Sequence, residues 1–233
     1  MVMLLARAAA MLLLPAVSGR FMPGAGVAAT GWARTLVPCF LDKRSVPGSP
    51  SFSRDMHWDV SKFQTLLSWA PEAAAAPVDT LFDTFQFMAI EWDGGKEFEE
   101  CSGACTNPWA NQTDWEGLLD LQLSMGVAQL EAAAANVSLL LRPRQHTSPR
   151  VMLPIPYPSL RAEEGWGSLP DGHGGSTQLN FSRWDDRVAA LRWFVDRSVQ
   201  AFHALGAEHC ELIGFYCESH GSHRWLCVPV IRL

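Results

Sequence analysis

The sequence has no cluster of basic residues, and its 18 Lys and Arg are outnumbered by 24 Asp and Glu, which gives a net charge of -6. Nucleic-acid binding is therefore not expected, because it usually requires a basic stripe or patch. No glycine-rich phosphate loop follows a predicted strand, so the sequence predicts no nucleotide or other cofactor. The N-terminal apolar run is shorter than the roughly 20 residues that cross a bilayer, so a stable membrane span is not expected.

The composition that remains is that of a globular protein with an ample core. Of the 233 residues, 48% are hydrophobic, and they include ten Trp and twelve Phe. This length allows one large domain or two small ones. A mildly acidic chain rich in aromatic residues fits a neutral ligand such as a carbohydrate.

The N-terminus has the pattern of a targeting segment. Arg7 precedes an apolar run at 8–16, and the small residues at 17–19 suit a signal peptidase. We therefore interpret residues 1–19 as a signal peptide and residues 20–33 as a linker. No acidic residue precedes Asp42, so an organellar transit peptide is the alternative.

Three N-glycosylation sequons favour secretion over an organelle. They begin at Asn111, Asn136 and Asn180. In an oxidising compartment, Cys101 and Cys105 could close a local disulfide in their Gly/Asn/Pro-rich loop. The other four cysteines would need other partners or would stay as buried thiols: they are Cys39, Cys210, Cys217 and Cys227.

Predicted strands and helices alternate along the chain. We expect strands at 34–41, 78–90, 136–141, 150–156 and 210–218, of which the third and fourth could be two parts of one unit. We expect a helix from Val60, a second capped by Thr113 with Glu116, and a third from Ser182 to Gly206. Such alternation builds a parallel α/β sheet. A closed (β/α)8 barrel takes about 250 residues, so the fold is an open sheet or, as we favour, the N-terminal half of a barrel.

The chain resembles the domain of unknown function family 4855, because four motifs occur in it in the same order as in that family. They are FDTFQF at 82–87, PIPYP at 154–158, the helix at 180–196 and IGFY at 213–216. The resemblance covers roughly residues 57–220 and implies a glycoside-hydrolase-type (β/α)8 barrel, often secreted, without a settled activity. We therefore assign residues 34–220 to a partial barrel domain.

The chain departs from the family pattern at its C-terminal end. Cys217 replaces an aromatic residue, and residues 221–233 form an atypical tail where the family continues. The resemblance therefore predicts a truncated or mis-spliced product.

Glu218 is the first candidate for catalysis, because it follows the last predicted strand. Barrel glycosidases that resemble this fold place their general acid at the end of strand four, and they use a second carboxylate nearby. Glu91 or Asp93 could supply that second group. The alternatives are a Glu218 that caps a helix or stays solvated, and solvated loop acids at Glu91 and Asp93.

Asp83 is unusual because it lies within an apolar strand. Buried Asp is rare unless it is paired. It is therefore either a catalytic or ligand-binding group that lines the barrel, or the partner of an arginine such as Arg142 or Arg150.

Three aromatic residues are candidates for contact with a sugar. Tyr157 could contact a hydroxyl group, and Trp92 or Trp166 could stack on a pyranose ring, although packing is the alternative for each. The predicted ligand is accordingly a carbohydrate. A zinc site at Cys217, His220, His223 and Cys227 is not favoured, because its spacing is not a known signature and an oxidising compartment would consume the thiols. No metal is expected.

Overall fold

The computed structural model describes residues 36–41, 46, 48, 57–69, 79–89, 91–92, 95–98, 108–141, 148–160 and 165–216. The predicted signal peptide, the linker, the tail, Glu218 and the Cys101–Cys105 pair lie outside these ranges. The strands are β1 Leu36–Phe40, β2 Ser68–Trp69, β3 Asp79–Thr80, β4 Thr84–Met88, β5 Glu91–Trp92, β6 Lys96–Glu97, β7 Arg150–Pro154, β8 Ser168–Pro170, β9 Ser176–Gln178 and β10 Glu211–Tyr216. The helices are α1 Val60–Leu67, α2 Gln112–Leu121, α3 Ala128–Leu140 and α4 Trp184–Leu205, and a π turn, Gln122–Val127, joins α2 to α3.

The main sheet has four strands in the order β1-β4-β7-β10, and all its neighbours are parallel. This confirms the predicted α/β fold with a parallel sheet. Because the order follows the chain in one direction, right-handed crossovers place the helices on one face of the sheet. Phe63 of α1 and Gly126 of the π turn accordingly both approach Phe87 of β4. The described strands form an open sheet rather than a closed barrel.

The outer edge of β1 is blunted against pairing with a further strand. Leu41 donates its backbone N–H to the Met88 carbonyl at 2.8 Å, so by alternation the backbone groups of residues 38 and 40 point away from β4. Pro38 has no N–H to offer there. The Phe40 carbonyl accepts a hydrogen bond from the Trp58 indole at 2.8 Å. A strand closing a barrel at this edge would displace Trp58 and lack one donor.

The core lies between the sheet and its helices. Alternating residues of β4 and β7 point into it and are fully buried: Phe85, Phe87, Val151 and Leu153. At Gly126 a Cβ atom would lie 2.8 Å from side-chain carbons of both Leu41 and Phe87. The glycine is therefore what allows the helix to approach the sheet this closely.

The predicted strand at 136–141 is wrong, because residues 128–140 form α3. The alanine-rich stretch before Asn136 favours a helix, and that helix continues through Val137. The predicted cap at Thr113 is also wrong by two residues. Asn111 caps α2 instead, in a reciprocal capping box with Asp114.

The cap predicted at Ser182 is wrong as well, since α4 begins at Trp184 without a side-chain cap. Asn180 accepts the backbone N–H of Ser182 and donates its own backbone N–H to Asp186. The predicted end of the helix is confirmed, because Gly206 adopts a left-handed φ of 67°.

The continuous helix Gln112–Leu140 is long and apolar enough to cross a bilayer, but 39% of its apolar window is buried inside the protein. A helix that packs against a core sheet satisfies the same criteria. Leu130, Ala133 and Val137 are all buried. The length and composition of this helix are therefore weak evidence for membrane insertion.

Glu131 of α3 ties the helix to the turn that precedes β10. Its Oε1 accepts the backbone N–H groups of Glu208 at 3.0 Å and His209 at 2.9 Å, and lies 2.7 Å from His209 Nδ1. Burial raises the pKa of Glu131, but the hydrogen bonds from His209 and Glu208 outweigh it and leave the pKa below its ordinary value. The contacts therefore favour the ionised carboxylate.

We expect Glu131→Gln to lower the free energy of unfolding at neutral pH, because the variant weakens the hydrogen bonds to His209 and Glu208. The loss should be only about 1 kcal/mol, since the side chain is partly exposed. A carboxyl group with a lowered folded-state pKa stabilises the fold above its unfolded pKa and loses that contribution as pH falls through the folded pKa. The difference between wild type and variant should thus shrink below the ordinary value of 4.5. Urea unfolding at neutral and acidic pH measures it, and a difference that does not change with pH would contradict the assignment.

Candidate ligand site at the carboxyl edge of the sheet

The carboxyl ends of β4, β7 and β10 meet at a small depression. In a parallel α/β fold, ligands bind at this edge. The strand ends and their following loops supply most of the lining, and Leu118 of α2 completes it. The lining residues are Met88, Ala89, Phe98, Leu118, Pro154, Ile155, Pro156 and Tyr216. The lining side chains are thus apolar apart from one tyrosine, and none of them carries a charge.

Tyr157 and Trp92 both contact Phe98 of the lining, although neither lines the depression itself. The Tyr157 backbone N–H donates to the Phe98 carbonyl at 2.7 Å. The Trp92 ring packs edge-to-face on the Phe98 ring, with centroids 5.7 Å apart. Both Tyr157 and Trp92 are half-buried. The structure therefore places two predicted ligand-binding residues at one edge, and their contact with a sugar stays a prediction.

A partly buried ion pair fixes the position of the β5–β6 hairpin beside the depression. Lys96 Nζ lies 2.8 Å from both carboxylate oxygens of Asp114. Asp114 Oδ2 also accepts the backbone N–H of Asn111, and Asn111 Oδ1 accepts that of Asp114. The helix N-terminus further favours the negative charge. Asp114 therefore joins the start of α2 to the hairpin that carries Trp92.

We expect Asp114→Ala to lower the free energy of unfolding by about 2 kcal/mol, because it removes half of the capping box and leaves Lys96 without its partner. The partial exposure of Lys96, 28%, limits the loss. Chemical denaturation measures the change. Glu116→Ala is the matched control, since its pair with Arg197 is longer, at 3.6 Å, and more exposed. An Asp114 variant no less stable than this control would contradict the prediction.

Trp166 is a core residue rather than an open stacking surface. It is 2% exposed. Its ring centroid lies 5.0 Å from that of Trp115, 5.2 Å from that of Phe181 and 5.5 Å from that of Trp193. These rings cover the indole, so the structure does not present it to a sugar. The prediction that it stacks on a pyranose ring is corrected accordingly.

Asp83 lies at the opposite edge of the sheet, because it directly precedes β4. It is 9% exposed, and its Oδ1 accepts the Thr84 hydroxyl at 2.9 Å. Its backbone carbonyl accepts a hydrogen bond from the backbone N–H of Arg150 at 2.8 Å. This backbone contact makes Asp83 and Arg150 neighbours, and a pair between their side chains stays a prediction. Asp83 is not brought to the carboxyl edge.

Three catalytic candidates remain, Glu91, Asp93 and Glu218, and the structure describes the backbone of Glu91 alone among them. Glu91 opens β5, soon after the carboxyl end of β4, but its side chain lies outside the described residues. Asp93 and Glu218 lie wholly outside them, one residue after the end of β5 and two residues after the end of β10. Glu91 therefore follows a strand end at the carboxyl edge. Among the described lining residues there is no carboxylate.

The three sequon asparagines have different environments. Asn136 is exposed on α3, whereas Asn111 and Asn180 are half-buried. The side-chain oxygens of the latter two accept backbone N–H groups, of Asp114 and Ser182. Asn136 is therefore the most accessible of the three.

Cys39 and Cys210 are free and buried, and no disulfide occurs within the described ranges. Burial raises the pKa of both thiols, and for Cys210 the neighbouring Glu131 carboxylate raises it further. Thiols in this state are poor nucleophiles. The described part of the chain likewise contains no cluster of His, Cys, Asp and Glu suited to a metal ion.

Sequence reasoning missed Phe98 and Leu118, which line the depression. Leu118 belongs to the apolar face of a helix and carries no signal of its own. A family model described as "Domain of unknown function (DUF4855)" matches residues 51–222. Neither the curated proteins nor the solved structures yielded a match to the chain.

Proposed function

Because the chain belongs to the DUF4855 family of domains of unknown function, we propose that it is a secreted, carbohydrate-directed protein related to glycoside hydrolases. Its ligand site is the depression at the carboxyl edge, and Glu218 is the general acid/base. The sheet, in this proposal, is the N-terminal half of a (β/α)8 barrel. The sequential order β1-β4-β7-β10 supports this reading, although the blunted edge of β1 does not favour closure on that side.

The observation that carries the proposal is the convergence of aromatic residues at the carboxyl edge. Tyr216 lines the depression, and Tyr157 and Trp92 each contact Phe98, which belongs to the same lining. Aromatic rings beside an apolar floor suit the C–H face of a pyranose, and tyrosine hydroxyls suit its hydroxyl groups. The chain continues from Tyr216 to Glu218, which supports a carboxylate close to this edge.

Binding without catalysis is the second candidate, and one observation favours it. A glycosidase needs two carboxylates, about 5–10 Å apart. The described lining of the depression is apolar and contributes no carboxylate. A carbohydrate-binding or degenerate module would need only the aromatic surface.

One experiment tests the proposal and separates the two candidates. The full chain, recovered from a secretory host, is assayed for binding to a panel of oligosaccharides and for hydrolysis of the same compounds. Tyr157→Ala and Leu139→Ala serve as site variant and control, since Leu139 is 84% exposed on α3. Binding that is lost only in Tyr157→Ala supports the site, and hydrolysis in addition supports the enzyme. Failure to bind any oligosaccharide, with the chain folded, would refute both candidates.

A further inference from the structure

Gln122 is a polar side chain in the apolar interior between the long helix and the sheet. It is fully buried, at 0% exposure. Within the described residues neither its Oε1 nor its Nε2 has a hydrogen-bond partner. Most buried amides have at least one partner, because removing both atoms from water without one is costly. The burial of this amide without a partner therefore needs a physical explanation.

Its neighbours along the helix fix where the amide lies. Leu118, one turn earlier, lines the depression at the carboxyl edge. Gly126, one turn later, approaches Leu41 and Phe87 of the sheet. Residues four apart share one face of a helix. Gln122 therefore faces the sheet between these two contacts, just beneath the depression.

The backbone is irregular at the same residue. Gln122 begins the π turn Gln122–Val127, and the Ala128 N–H donates to the Leu123 carbonyl, one residue farther back than in an α-helix. Single π turns occur frequently at functional sites. Insertion of a water molecule into the backbone ladder is one established cause of helix irregularity. The amide without a partner and the irregular backbone thus occur at the same residue, Gln122.

We propose that Gln122 and the π turn form an internal binding site for one water molecule. Water is the smallest neutral group that both donates and accepts, so it can bond to the amide Nε2 or Oε1 and to backbone groups of the widened turn. Buried waters typically make two to four such bonds to polar groups that otherwise lack partners. The site secures the helix beneath the depression, and it does not depend on a carbohydrate ligand.

Magnetic relaxation dispersion of water 17O in the full chain tests this, because it detects water molecules that are held inside a protein. We expect Gln122→Met, which keeps the side-chain length without polar atoms, to lose the contribution of one long-lived water. Its Tm should fall by about 2–4 °C. Leu123→Met in the same turn is the matched control, and it should keep the full water contribution.

Two results would overturn the proposal. The first is a water signal that is the same in wild type and in Gln122→Met, or no long-lived water in wild type. The second is a higher Tm in Gln122→Met, since this would mean that the amide is unsatisfied and that apolar atoms replace it with a gain. Gln122→Leu repeats the comparison if the methionine variant does not fold.

Discussion

Trp166→Ala is expected to lower the free energy of unfolding by about 3–5 kcal/mol, which is the usual cost of truncating a large aromatic residue in a core. The indole is 2% exposed and contacts the rings of Trp115, Phe181 and Trp193. Its carbonyl also accepts the Gln112 N–H at the start of α2, at 2.7 Å. The loop at 165–167 is thus attached to the helix by both packing and a backbone bond.

Urea unfolding, followed by far-ultraviolet circular dichroism, measures the Trp166 effect. Trp92→Ala is the matched control, because that tryptophan is only half-buried and should cost clearly less stability. A stable Trp166→Ala protein that has lost oligosaccharide binding would contradict the core assignment. That result would return Trp166 to the stacking role that was one of its two predicted roles.

The four main strands could be predicted because each is a segment of five or six residues that is rich in apolar, β-branched or aromatic side chains. The error at 136–141 has a physical cause, since a short apolar run fits a buried strand and a buried helix equally well. The length of the whole segment decides between strand and helix. Here residues 136–140 are the last part of α3, which begins in the alanine-rich stretch before them. The β5–β6 and β8–β9 hairpins have strands of only two or three residues, too short for a periodic signal.

The candidate site could be predicted in part for a related reason. Tyr157 and Trp92 follow strands, and any residue after a parallel strand lies at the carboxyl edge. Trp166 also lies in a loop, yet its ring is buried, because α2 and α4 supply aromatic partners from distant parts of the chain. Contacts of this kind depend on tertiary packing, as does the approach of Gly126 to the sheet, and neither has a local sequence signal.

Glu218→Gln is expected to lower hydrolysis by about 10²–10⁴-fold while leaving oligosaccharide binding nearly unchanged, if Glu218 is the general acid/base. Glutamine has nearly the same shape but cannot donate or accept the catalytic proton. Rates on a chromogenic glycoside, with binding measured by calorimetry, separate the two effects. Glu211→Gln is the matched control, because Glu211 is exposed at the start of β10, far from its carboxyl end.

Each outcome of the Glu218 experiment distinguishes a different use of the carboxyl edge. A selective loss of hydrolysis would require a second carboxylate nearby, and Glu91 is the residue whose backbone leaves the sheet at that edge. Equal hydrolysis in wild type and Glu218→Gln would assign the catalytic proton to another group. Binding without hydrolysis in both proteins would leave the aromatic residues around the depression as the functional part of the site, as the apolar lining favours.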